Sequence, residues 1–534
     1  MGHIESRVIN SDWNVVVVLS LTALRDPLSS TLTHHQSSSP TTVRVSLEIC
    51  SHHFEKMSSI SKINQLPSEL LALIYATGLR DLTSDEHQPL LALICSVCRH
   101  WRDVAIGASE LWTTICITLG RHCPATQAFL ERSKGRLIDV YIKALDMIDR
   151  FTLARETTMI TAVTAPHISR VRTLAMGISQ FKLYTILSDA YRSISATNLT
   201  SLSIHLRRDI WGFGPLPPLF ANANSLCHFD TQGNFLNVVP SRTSLTTLEL
   251  GDYTPTHTEL QGLFDTSPYL ETLILHGFDV VGPLDLAGDA DATPITITAP
   301  TTLKSLAVNL YRPHSDGTTS CCVLGSLCIP NLEYLEVVGT SVLDIDIDLN
   351  VHFGKLDKLR TLRIQNCTLS SADEEFSLSL KELRRLELVD MSVKDVRHIA
   401  DPPSSSLSFP RLSSVFFSTT GGYLDTPYRL LQLAKRCVAA GCPRFTLEIE
   451  EGRSGEFFKA IESYIQDRRV CVIDSDCSSG LIKQDAAGID SRVFWDEDEV
   501  IFEGEIDVEG WGFEFEDDGW DEEEEDAFEF DEED

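Results

Sequence analysis

Cys95-x-x-Cys98, with His100, Cys116, His122 and Cys123 close behind, is the stretch of this chain whose residue types come nearest to metal chemistry. Zinc sites commonly gather two such thiol or imidazole pairs around one ion. The residues between them point elsewhere. Leu90, Leu91, Ile94, Val97, Cys98 and Trp101 recur at helical spacing, which puts Cys98 on an apolar helix face and reads it as a packed thiol. Cys321, Cys322 and Cys328 stand without an adjacent histidine and read the same way. No G-x-x-x-x-G-K-[ST], G-x-G-x-x-G after a strand, H-E-x-x-H or G-x-S-x-G motif occurs, and no Asp or Glu pair stands out as an acid/base couple. The expectation is a protein without catalytic residues, metal, cofactor or small-molecule substrate, which works by binding.

The elements around Cys98 explain its neighbours. The spacing predicts a helix over Ser68–Leu79, with Leu70, Leu71, Ile74 and Tyr75 forming a broad apolar stripe. Pro67 suits its first turn, where no amide donor is needed, and Glu69 suits the positive end of the helix. A second helix is predicted over Leu90–Val104, its apolar side opposed by Arg99, Arg102 and Asp103, and a third short segment ends in Leu111-Trp112. Three short helices make about fifty residues, a size that buries only about 60% of its surface and is marginal alone. Such a bundle would gain from a partner.

These residues carry a family resemblance. Leu66-Pro67-x-Glu69-Leu70-Leu71, Ile74-Tyr75, Val97-Cys98-Arg99-x-Trp101-Arg102 and Leu111-Trp112 follow the order and spacing of an F-box in the version common in fungal proteins. The segment "GLRDLTSDEHQP" departs from that pattern as a longer insertion between the first two helices. The resemblance implies docking on a Skp-family adaptor, and through it on a cullin. By position, Leu66, Pro67, Leu70, Leu71, Ile74, Val97, Cys98 and Trp101 would form or support the docking face, and for Leu66 and Pro67, which precede the first helix, the interface reading is stronger. For Trp101 and Leu111 a place in the bundle's own core is an equal alternative.

From residue 171 onward a second pattern repeats. Strict Leu-x-x-Leu-x-apolar copies begin at Leu199, Leu245, Leu270, Leu303, Leu332, Leu359 and Leu383, with looser copies at Val171, Leu226 and Leu412. They lie 19 to 33 residues apart, inside the range of leucine-rich repeats. Alternate positions such as Leu335 and Val337 point one way from a strand, and one unit cannot bury that face alone, so units must stack. Pro268, Pro330 and Pro410, each two residues before a copy, are read as occupying first strand positions, where no ladder donor is needed. Cys367 falls at the Asn/Cys position of the leucine-rich repeat template. The region resembles an irregular solenoid over 171–418, extending to 137–450 with "LIDVYI" and "CPRFTLEIE" as imperfect ends, and residues 280–300 read as a loop.

Charge separates the C-terminus from the rest. The chain has 534 residues, 44 Lys and Arg against 77 Asp and Glu, and a formal charge of -33. Of this, 23 acids and no Lys or Arg lie in 496–534, which leaves about -10 for the remainder. No basic stripe offers to neutralise phosphates, so nucleic acid is not an expected partner. Residues 494–534 interleave acids with aromatics and read as a disordered, solvated tail. The fourteen scattered cysteines read as buried thiols of a reducing compartment.

At the other end, Trp13–Leu24 is apolar for about eleven residues, too short for a bilayer that needs about twenty. Glu5 and Asp12 stand where a signal peptide carries positive charge, and the match of "MGHIES" to a myristoylation pattern reads as chance. Residues 1–60 read as an extension outside the fold, disordered or upstream of the true start, with Met57 just before the first organised segment.

The predicted fold class is α/β: a small N-terminal three-helix F-box bundle over 61–116, a leucine-rich repeat solenoid or horseshoe over 137–450, a cap or linker over 451–493 and the acidic tail over 494–534. The function implied is that of the substrate-recognition subunit of an SCF-type ubiquitin ligase, cytoplasmic or nuclear, presenting an unknown protein target on its repeats and having no membrane partner. The alternative is a leucine-rich repeat scaffold that binds protein without a ligase.

Overall fold

The computed structural model describes residues 65–80, 82–119, 124–144, 150–178, 181–206, 217–232, 238, 242–251, 255–277, 296–309, 327–339, 346–347, 356–369, 380–391, 396, 409–418, 426–450, 470–475 and 480–481. The readings made above for residues 1–60, the tail 494–534, and Cys321 and Cys322 lie outside them.

The first helix, α1, runs Ser68–Arg80. Pro67 precedes it, and its carbonyl accepts from the amides of Leu70 and Leu71 at 3.0 and 3.1 Å. The second predicted helix is two helices: α2 (Ser84–Val97) and α3 (Arg99–Gly107). Cys98 breaks them with an extended backbone, φ -161° and ψ 168°. The insertion that departs from the F-box pattern supplies the start of α2. Thr83 accepts from the Glu86 amide, and Glu86 accepts from the Thr83 amide at 3.1 Å, a reciprocal cap that satisfies two otherwise orphaned donors. A 3₁₀ turn, Ser109–Trp112, follows α3.

The chain then enters a sheet. Its first members are β1 (Thr114–Leu119), β2 (Ile138–Ala144), β3 (Val171–Ile178), β4 (Ser201–Leu206), β5 (His228–Gln232), β6 (Thr247–Gly251) and β7 (Thr272–His276). Helices α4 (Pro124–Arg132), α5 (Arg150–Thr164), α6 (Phe181–Tyr191) and α7 (His257–Thr266) stand between them. Short β8 (Ile297–Thr298) falls at the end of the segment predicted to be a loop and pairs with β10 (Leu327–Cys328); β12 (Asp346–Ile347) likewise pairs with β14 (Thr368–Leu369). The main sheet continues through β9 (Ser305–Asn309), β11 (Tyr334–Val338), β13 (Thr361–Gln365), β15 (Arg385–Val389), β16 (Ser414–Ser418), β17 (Phe445–Glu450) and β18 (Val470–Ser475), with α8 (Thr426–Ala439) before β17. All fourteen strands are parallel and lie in chain order.

Register explains the leucine pattern. Leu202, Phe229, Leu248, Leu273, Leu306, Leu335, Leu362, Leu386, Val415 and Leu447 meet side by side along the sheet. All are at most 1% exposed, and each such burial contributes about 1.5–3 kcal/mol relative to exposure. Residues two positions later, such as Leu250, Leu275, Val337 and Leu388, enter the same core. Helices α6, α7 and α8 add Leu183, Leu187, Leu260, Leu263, Leu430 and Leu431 to it.

The prolines take a different place from the one predicted. Leu270, Leu332 and Leu412 donate to the carbonyls of Ser267, Ile329 and Phe409. Pro268, Pro330 and Pro410 are therefore second residues of tight turns, where their fixed φ is preformed, several residues before the strands begin. The same turn opens the copies at Leu199, Leu226, Leu245, Leu303, Leu359 and Leu383. At the other end of the strands, Gly277, Asn366 and Asp390 have φ of 56°, 51° and 49°. These are the residue types that tolerate the left-handed region.

The helical region is not a free-standing unit. One buried cluster runs from Leu71 to Val470. Gln88 Nε2 donates to the Cys116 carbonyl of β1 at 2.8 Å, and Trp112 meets Phe129 of α4 edge to face at 4.7 Å. The marginal bundle obtains part of its support from the start of the sheet.

Candidate functional site

Two surfaces could bind protein. The first lies on α1, α2 and α3. Pro67 is exposed, Leu66, Ile74, Cys98 and Trp101 are half-buried, and Leu71 is buried. Leu70 and Val97 are exposed, as are three residues that sequence reasoning did not select, Leu73, Leu93 and Ile106. Leu70, Leu73, Leu93, Val97 and Ile106 are five of the ten exposed large apolar side chains among the described residues. All five fall within 37 positions of the chain, on α1 to α3.

Beneath them the helices are fixed from inside. Trp101 packs on Tyr75 with ring centroids 5.4 Å apart, and Leu111 and Trp112 are each 1% exposed. Trp112 Nε1 donates to the Ala105 carbonyl at 2.8 Å, and the Arg132 guanidinium lies 4.4 Å from the Trp112 ring. Leu71, Leu111 and Trp112 thus form the support, and Leu70 and Leu73 the rim that faces outward.

Among the described residues the metal-like side chains do not form a ligand set. Cys95 is buried, and burial pushes its thiol above the ordinary cysteine value. Among the described residues no group of three His, Cys, Asp or Glu side chains could hold a metal ion. His122 and Cys123 lie outside the described residues.

The second surface is the sheet face opposite the leucine row, here called the outer face. In register it presents Ser203, Asp230, Glu249, Ile274, Ala307, Glu336, Arg363, Glu387, Phe416 and Glu448. Near β4 and β5, His205 Nε2 lies 2.7 Å from Ser203 Oγ and 2.9 Å from Asp230 Oδ2, while Ser203 Oγ donates to Asp230 at 2.8 Å. Serine and aspartate therefore meet the same imidazole nitrogen. A nucleophilic relay needs them on opposite nitrogens, so this is an ion-pair cluster rather than a triad. Burial opposes the His205 cation, but Asp230 outweighs it and the histidine's pKa is raised.

Further along, Arg363 pairs with Glu336 at 3.3 Å and with Glu387 at 2.9 Å, and Arg385 reaches Glu387 at 2.6 Å and Glu448 at 2.5 and 2.7 Å. Tyr334 donates to Glu336 at 3.0 Å. Burial favours a neutral Glu387, yet the hydrogen bonds from Arg385 and Arg363 hold its carboxyl below the ordinary value. The row is thus a charged, hydrogen-bonded strip with apolar breaks at Ile274 and Ala307 and at Phe416.

Residues 63–118 match the F-box-like family. That match includes α1 to α3, the 3₁₀ turn and most of β1, so it runs into the sheet. No curated protein matches the chain. Among the described residues no helix is long and apolar enough to cross a membrane.

Proposed function

We propose that this protein is the substrate-recognition subunit of an SCF-type cullin-RING ubiquitin ligase, with an F-box of the fungal type. F-box domains generally bind Skp-family adaptors. Here the exposed side chains of α1 to α3, together with Leu66 and Pro67, dock on that adaptor, and the in-order parallel sheet is an irregular leucine-rich repeat solenoid that holds a protein target. The chain performs no catalysis. Holding a target near the ubiquitin-loaded enzyme raises its effective concentration there, so specificity resides in geometry and affinity. The site of action is the cytoplasm or nucleus.

The observation that carries this reading is the concentration of exposed apolar side chains between Leu70 and Ile106, inside the segment that matches the F-box-like family. Co-purification tests it. The wild-type chain should bring down a Skp-family adaptor, and a Leu66→Ala, Pro67→Ala variant should not. Equal recovery from both would count against the assigned face.

A scaffold without a ligase is the competing reading. The core shared by α2 and β1 makes removal of 61–116 a poor discriminator, because it would strip support from the sheet. Leu70→Asp, which alters an exposed residue, separates the two: a ligase subunit loses ubiquitination of its target, and a scaffold does not.

A further inference from the structure

Ile274, Ala307 and Val338 form a buried cluster of their own on the outer face, apart from the main core, and Leu481 packs against it. The contact joins residues far apart in sequence. The Leu481 amide donates to Glu336 Oε2 at 2.6 Å, across a separation of 145 residues. Glu336 is 0% exposed and Arg363 4% exposed. Glu336 is buried, so its carboxylate oxygens must be satisfied by neighbours, here Arg363, the Tyr334 hydroxyl and this backbone amide.

Gly480 explains why the segment can approach so closely. A Cβ placed on it would lie 2.7 Å from Glu336 Cδ and 2.8 Å from Arg363 Nε, closer than side chains tolerate. The arrangement selects three features: a residue without a side chain, an amide N–H aimed at a buried carboxylate, and a large aliphatic side chain for the Ile274–Ala307–Val338 cluster. These describe a glycine followed by a large aliphatic residue.

We infer that the outer face over β7, β9, β11 and β13 is a peptide-docking site, occupied in this chain by its own Gly480-Leu481. A target enters by bringing a segment in which glycine precedes a large aliphatic residue, and it displaces the resident pair. This rests on the reading of the sheet as the target-holding region. It adds that the chain competes for its own site, so targets are held only when they outbind the tethered segment.

The test uses the full chain and a fluorescent peptide of residues 476–486 as probe, read by anisotropy. If the tethered segment fills more than about 90% of sites, the apparent affinity of the wild type for the probe falls about tenfold or more. Gly480→Val and, independently, Leu481→Asp in the full chain should both bind the probe at least about tenfold tighter than wild type. A probe carrying Leu481→Asp should bind none of them. Equal binding of the normal probe by wild type and both variants, or binding by none, would overturn the inference. Adaptor capture is scored in the same preparations. Capture without peptide binding removes this site alone, and peptide binding without capture leaves the site and removes the ligase reading.

Discussion

Arg363 and Glu387 meet at 2.9 Å across β13 and β15, with side chains 4% and 7% exposed, on the face of the sheet that does not hold the leucines. Charges so placed are out of water, and each depends on the other and on the flanking Glu336 and Arg385. Removing one partner leaves an uncompensated buried charge. Arg363→Ala is therefore expected to lower stability by about 3–5 kcal/mol, and Arg363→Met together with Glu336→Met and Glu387→Met, which leaves neither carboxylate without its cation, by less. Urea denaturation of the three proteins measures the difference, and an Arg363→Ala cost under about 1 kcal/mol would show the pair to be solvated.

The adaptor face separates exposed from buried residues on one helix. Leu70→Asp should leave the unfolding midpoint within about 0.5 kcal/mol of wild type while abolishing adaptor capture. Leu71→Ala, one residue on and 1% exposed, should cost about 2–5 kcal/mol. Parallel melting and capture assays resolve the two effects.

The cluster of His205 and Asp230 predicts a pH dependence. The folded pKa of His205 is raised above its ordinary 6.5, so its contribution is complete below that value and disappears as pH rises through the raised one. Asp230 is lowered below its ordinary 3.8, so its contribution is complete above that value and disappears as pH falls. The pair stabilises most between 3.8 and 6.5. Denaturation midpoints at pH 5 and pH 8.5 should differ more in wild type than in Asp230→Asn.

Asn366 occupies the left-handed region at φ 51°. Asn366→Val should cost about 1–2 kcal/mol, and Asn366→Gly should be close to neutral. Calorimetry on both decides whether that corner of the chain, rather than the asparagine side chain, sets the requirement.

Much of the sheet was legible because each strand advertises itself by spacing. Leu-x-x-Leu-x-apolar at Leu270 or Leu359 specifies which residues turn inward, and the inward residues do line one core. The split at Cys98 was less legible, since the apolar face continues across it from Ile94 to Trp101 and nothing in the period marks an extended residue. The start of α2 was readable in principle. Thr83 and Glu86 stand at capping-box spacing, inside the segment that departs from the F-box pattern. The residues after the strands also carried a signal, Gly277, Asn366 and Asp390 being types that favour positive φ. Contacts such as Arg385 with Glu448, 63 positions apart, were not legible, because they depend on strand register. The contact of Leu481 with Glu336 depends in addition on a return of the chain that no periodicity encodes.

The in-order ladder has a mechanical corollary. Every member of the main sheet shares ladder hydrogen bonds only with the strand before it and the strand after it in that sheet, so rupture at β18 leaves the ladder from β1 to β17 untouched. Pulled from that end, the molecule would peel in successive short lengths, and the grip nearest the F-box would be the last to yield.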